Sequence, residues 1–255
     1  MSSAIVARSP GPCAWLTLIR CEAKMVVRDT AGLVVPIGLP LLILVMNAAA
    51  AGEQVVVNGR TALDVHVLPL VFTVVPATIG VVNMPSFVAY YRRAGILRRL
   101  SVTPASPVMV LIAQAVVSLI QTLIGIGAAF AVALLVFDAN LPVRPAAAIG
   151  AALLATAAMY ATGMIVAATA PTPNAAVAIG LVAFFALGAL GGLFGGREAL
   201  PEPLAVLGER LPFGATVECV QAAWAGSAID PVHLVSLAAT IVLGGVISAV
   251  FFRWD

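Results

Sequence analysis

His66 and His233 are the two histidines of the chain, and they stand two and three residues from the acids Asp64 and Asp230. A His-Asp pair at that spacing could act as a hydrolytic dyad or offer two ligands to a metal ion. Both pairs fall near the boundary of an apolar stretch, where a solvated interfacial histidine is the ordinary reading. Cys13, Cys21 and Cys219 show no CxxC spacing, so they read as reduced or buried thiols rather than as a disulfide framework or a zinc site. The HExxH, GxSxG and dinucleotide-binding patterns are absent. Lys24, the single lysine, follows no glycine-rich turn, so the chain has no phosphate-binding loop. The sequence predicts a protein that is no enzyme and holds no metal or nucleotide cofactor of its own.

The elements that carry these residues belong in lipid. Of 255 residues 62% are apolar and 9% charged, with a net charge of +2 and a mean hydropathy of +1.11. A soluble globular chain carries about 25% charged residues, so most of this surface faces something other than water. Seventeen prolines and 22 glycines exclude a coiled coil, the apolar content excludes disorder, and the charge balance excludes a nucleic-acid partner. Arginine outnumbers lysine twelve to one, and alanine, valine and glycine dominate the apolar set, a composition pointing to a GC-rich bacterial genome.

A helix needs about 20 apolar residues to cross about 30 Å of hydrocarbon, and a charge at its centre is costly, so charges mark the loops. The spans predicted on that basis are Leu33 to Ala51, Val67 to Tyr91 with kinks at Pro69, Pro76 and Pro85, Pro107 to Phe137, Pro145 to Thr169, Ala175 to Gly195, and Val232 to Phe252. Pro171 to Asn174 divides the uncharged stretch between Arg144 and Arg197. Nine basic residues fall on the side of the termini (Arg8, Arg20, Lys24, Arg28, Arg92, Arg93, Arg98, Arg99 and Arg253). The other side holds Arg60, Arg144, Arg197 and Arg210. The positive-inside rule then places both ends in the cytoplasm. Residues 1–30 read as a cytoplasmic tail and interfacial helix rather than a cleaved signal, and residues 31–255 as one six-helix all-α membrane domain. In the interfacial helix Arg20, Lys24 and Arg28 form one stripe, with Trp15, Leu18, Ile19, Met25 and Val26 opposite. In the outer loop from Gly196 to Asp230, the apolar Val217 to Trp224 predicts a re-entrant segment between the last two spans.

Ion-coupled carriers place acids or histidines at mid-membrane, and no span has one near its centre. The polar residues inside are Asn47, Asn83, Gln114, Gln121, Thr122, Thr156 and Thr162, expected to bond between helices rather than to hold a solute. Energy for transport would then come from another subunit.

The loop from Tyr90 to Pro107 is where such a subunit could dock, or where arginines simply anchor the chain to anionic lipid. It reads as a short basic helix closed by two prolines. Its run of Arg92, Arg93, Gly95, Leu97, Leu100, Val102, Thr103, Pro104, Ser106 and Pro107 resembles the loop after the second helix in ABC-2-type permeases. Gly191 to Phe194, Pro201 to Leu204, Leu211-Pro212 and Glu218 are similar to the stretch after that family's fifth helix. Many members have a glutamate and a threonine where this chain has Tyr90-Tyr91 and Ile96. The resemblance implies two permeases, identical or paralogous, sitting on two ATP-binding subunits that carry the ATP and Mg. It implies an ATPase contact at Tyr91, Arg92, Arg93, Gly95, Leu97, Arg98, Arg99 and Leu100. It also implies a part in transmission for the helix of Trp15, Arg20, Lys24 and Arg28, and a dimer contact made by the first and fifth spans. There Gly188 with Gly192 and Gly191 with Gly195 would permit close approach, between copies or within one bundle. An uncharged route lined by Ala, Val, Phe and a few amides suits an amphiphilic or apolar cargo, and the resemblance leans toward drug and antibiotic exporters of the bacterial cytoplasmic membrane. An ion-coupled carrier or channel and a membrane scaffold are the alternatives.

Overall fold

The computed structural model describes residues 11–51, 55–96 and 107–251. Among them six helices are long and apolar enough to cross a membrane, and the chain is an all-α membrane protein. A short helix α1 (Pro12–Arg28) precedes the first span α2 (Thr30–Ala51). A small hairpin follows, β1 (Val55–Val57) and β2 (Arg60–Thr61), turned by Asn58 and Gly59 at positive φ, the dipeptide that this tight turn favours. The remaining spans are α3 (Leu63–Arg93), α4 (Pro107–Val136), α5 (Pro145–Thr169), α6 (Pro173–Leu190) and α9 (Pro231–Phe251), with two shorter helices, α7 (Glu202–Arg210) and α8 (Pro212–Ala225), between α6 and α9. Six crossings bring the start of α2 and the end of α9 to one end of the bundle, here the near end; the hairpin and α7 lie at the far end.

The second span is the hub. Within its most apolar window 89% of residues are buried, against 17% to 39% in the other spans. Those others turn residues such as Val34, Ile124, Val182 and Val242 outward, as lipid solvent requires. The kinks expected at Pro69 and Pro85 take a different form. Each of these prolines follows a wide π turn, Leu63–Val67 and Thr78–Asn83, which gives the ring room where an α turn would clash with the carbonyl four residues back. In the second π turn the Met84 N–H bonds Ile79 five residues back, and Pro85 has no N–H to offer. The backbone of Gly80 and Val81 accordingly lies against glycines of neighbouring helices: Gly80 against Gly163 of α5, and Val81 against Gly180 of α6.

Proline also explains the interior amides. Pro36 cannot donate to the carbonyl of Gly32 four residues back, and Gly32 O instead accepts from Asn83 Nδ2 at 2.8 Å and Gln121 Nε2 at 2.7 Å. One carbonyl freed in α2 thus joins α2, α3 and α4, while Gln114 Nε2 reaches Met84 O at 3.3 Å. These amides bond between helices, as expected. Thr156 and Thr162 bond back within α5, and Asn47 within α2. Replacing Asn83 and Gln121 together with leucine is expected to cost about 1–2 kcal/mol, read as a lower thermal midpoint in detergent. An unchanged midpoint would show that Gly32 needs neither donor.

The re-entrant segment is a helix pair. Helix α8 is buried along most of its length and packs beside the far half of α3, with Phe213 among Val74, Ala77 and Val81, and Cys219, Val220 and Trp224 among Leu68, Val71 and Phe72. It therefore lies at the depth of the spans. Gly208 and Gly214 let α7 and α8 close on each other and on Leu190.

Candidate functional site

Helix α1 starts where Pro12 can occupy a first-turn position without losing a needed N–H. Its inward stripe follows helical spacing: Trp15, Leu18, Ile19 and Met25 are half-buried, and Glu22 and Val26 are buried. Arg20, Lys24 and Arg28 are exposed on the other face. The stripe packs on protein, chiefly on α4 and α2, rather than lying free on lipid. At its centre Tyr91 Oη donates to Glu22 Oε2 at 2.6 Å, although 69 residues separate the two. Leu18, Met25 and Ile96 close around Tyr91 and Val110. Burial pushes the Glu22 carboxyl above the ordinary carboxylate range, and the Tyr91 hydroxyl opposes that rise less strongly. A folded-state pKa raised in this way adds stability below the unfolded value that is lost as pH rises through the folded one, so α1 docks more tightly in mild acid.

The other residues of the basic segment divide by role. The Arg92 guanidinium donates to the carbonyls of Ala167, at 3.4 Å, and Ala170, closing the C-terminal end of α5 where the helix dipole favours a cation. Arg93 is exposed. Gly95, with φ +65°, ends the helix. Leu97, Arg98, Arg99 and Leu100 lie outside the described residues. The expected short basic helix from Tyr90 onward is thus, over its described part, the last turn of α3. The near end brings α1 and the base of the hub span into one packed unit and leaves Arg20, Lys24, Arg28 and Arg93 facing outward. Glu22 was missed in sequence. The available signal was its position, four residues after Leu18 and four before Val26, which puts the one acid of α1 on the apolar stripe.

At the far end neither histidine pairs with its neighbouring acid. Asp64 is fully buried and accepts from Thr61 N and Oγ1 and from Asn140 N and Nδ2 at 2.8 to 3.1 Å, fixing the hairpin to the loop after α4. Asp230 Oδ1 accepts from Val232 N at 2.9 Å and caps α9. His66 is exposed. A hydrolytic dyad is therefore not assembled. His233 Nε2 instead lies 3.6 Å from Glu209 Oε1, and Arg197 pairs with both Glu209, at 2.8 Å, and Glu218. Glu209, Glu218 and His233 stand close enough to surround a cation, but the Arg197 guanidinium already bridges the two carboxylates and balances one of their two charges. The cluster binds α7, α8 and α9 together beside a cavity of about 640 Å³ bordered by Asn47, His66, Leu70, Leu193 and Gln221.

The glycines at the end of the fifth span and in the turn after it meet neighbours in their own chain: Gly188 faces Leu193, Gly191 faces Phe213 and Gly214, and Gly192 faces Arg197, while a β-carbon on Gly195 would have only Ala199 within 4 Å among the described residues. Phe184 packs edge-on to Phe185 and Phe213, and Phe72 to Phe130 and Trp224.

No curated protein matches the chain. Residues 14–225 match the model of the family described as ABC-2 type transporter.

Proposed function

The chain belongs to the ABC-2 type transporter family and is a multi-pass ABC permease subunit, of a family that generally partners with an ATP-binding subunit; from that premise we propose that it exports an amphiphilic or apolar solute. The cargo class is a drug, an antibiotic or a lipid, moved outward across the bacterial cytoplasmic membrane. Power comes from two copies of a separate ATP-binding subunit, which hold ATP and Mg, and the near end is cytoplasmic. A second permease copy or paralogue completes the assembly along α2 and α6, both of which carry exposed apolar side chains.

The observation that carries this reading is the Glu22–Tyr91 bond. A push on α1 or on the loop beyond Gly95 reaches one packed unit, and that unit is continuous with α3, which touches most of the other spans. The described middle of every span is free of charged side chains, which supports an apolar cargo and an external source of energy. The cluster of Arg197 at the far end holds the α7–α8 pair in place, where it would have to yield for a solute to leave.

Tyr91→Phe removes the hydroxyl that bridges the two elements. With the ATPase present, transport per ATP hydrolysed is expected to fall about five- to tenfold, as the loss of one hydrogen bond worth about 1–1.4 kcal/mol predicts. Glu22→Gln keeps an acceptor for Tyr91 and should retain most coupling. Full coupling in Tyr91→Phe would remove the main support for this transmission route.

A further inference from the structure

A second cavity lies away from the charged cluster, between α4 and α5. It measures about 330 Å³ and is lined by Leu119, Ile126 and Phe130 of α4, Ile149 and Leu153 of α5, and Trp224 of α8 as its floor. We propose that this cleft holds one acyl chain of a phospholipid from the far leaflet, with its phosphate at Arg144.

Three observations fix the occupant. The first is depth. On α4 the lining runs from Leu119 to Phe130 and on α5 from Pro145 to Thr156, in each case a rise of about 16 Å. Half of a bilayer's hydrocarbon is about 15 Å, so the cleft is as long as one leaflet is thick. The second is polarity. Of the three threonines in the lining, Thr156 and Thr216 donate back to Ala152 and Pro212 of their own helices while the buried Thr122 hydroxyl has no hydrogen-bond partner among the described residues, and Trp224 Nε1 donates to Asn140 O at 3.1 Å. The remaining lining is almost wholly apolar, which disfavours water, and Leu123, Ile149 and Leu153 are exposed at its rim, so it is continuous with the lipid-facing surface. The third is charge. Leu141, Pro142 and Pro145 border the far end of the cleft, and Arg144, next to Pro145 in sequence though not itself in the lining, is exposed, with Nη1 on Ser227 O and its remaining donors available to a phosphate at headgroup level. Edge-on packing of Phe72, Phe130 and Trp224 makes the floor rigid, so the cleft is preformed.

The test uses the full chain in nanodiscs, with Trp15 and Trp254 changed to phenylalanine so that Trp224 alone fluoresces. Phosphatidylglycerol brominated on its acyl chain is expected to quench Trp224 strongly. Ala152→Phe, which fills the cleft, should abolish at least half of that quenching, and Arg144→Gln, an exposed change that gives up the one bond to Ser227 O, should weaken the preference for phosphatidylglycerol over a neutral diacylglycerol about fivefold. Equal quenching with the cleft filled would overturn the proposal, as would an unchanged preference in Arg144→Gln. Displacement of the brominated chain by an exported drug at cargo concentrations, with transport lost in Ala152→Phe, would make the cleft a cargo site and overturn it too.

Discussion

Gly163→Ala is expected to prevent the bundle from packing, whereas Gly127→Ala, on the next-door span α4, is expected to be harmless. A β-carbon on Gly163 would fall on the carbonyl oxygen of Gly80, and one on Gly80 would lie 2.7 Å from Tyr160 Cδ1 and 2.9 Å from the Met159 carbonyl carbon. Both obstacles involve backbone, which cannot swing aside as a flexible side chain can. Overpacking a tight core costs about 1–3 kcal/mol, and here α5 must also move off the π turn of the hub, so the upper end of that range is the minimum. Gly127 has no neighbour within 4 Å of the corresponding position, and alanine there gains helix propensity of about 0.5–1 kcal/mol. Size-exclusion profiles and thermal midpoints of the two variants in one detergent separate these outcomes. Equal behaviour would mean that the α3–α5 contact does not hold the bundle together.

Arg197→Met should loosen the α7–α8 pair and do so through charge. The methionine fills much of the same volume, but it leaves Glu209 and Glu218 facing each other with His233 as the one remaining cationic candidate among the described residues at this cluster. Removing one partner from a buried ion pair costs about 3–5 kcal/mol. These side chains are 22% to 33% exposed, which lowers the expected loss to about 2–3 kcal/mol. Adding Glu209→Gln and Glu218→Gln to Arg197→Met should recover most of it. Proteolysis within residues 197–211 reports the loosening directly, and a cleavage rate unchanged from the parent would assign the cluster no structural part.

The six spans were legible because lipid makes the hydropathy signal nearly binary. The limits Pro145 and Thr169 expected for the fourth span coincide with its helix, and those of the first, third and sixth lie within a few residues of theirs. The fifth span ends at Leu190 rather than at Gly195, since Gly191 to Gly195 belong to a turn in which Gly192 and Gly195 have positive φ. The prolines of the second span were recognised but not their effect, because a π turn depends on what the neighbouring helices offer the displaced carbonyls. For the site, the amphipathic stripe of α1 and the basic end of the second span were visible, while the bond that unites them was not.

What the sequence determined by itself is solvent and topology: charges too sparse for water, six apolar runs, one amphipathic helix with its cations on one face. Transfer into lipid is a property of each segment alone, so it can be summed along the chain. Tertiary structure decided which groups meet: Glu22 with Tyr91, the Gly32 carbonyl with Asn83 and Gln121, His233 with Glu209 rather than Asp230, and Gly80 with Gly163. Each of these depends on the rotation and depth of two helices at once, and the small residues and freed carbonyls that set those angles carry almost no hydropathy of their own.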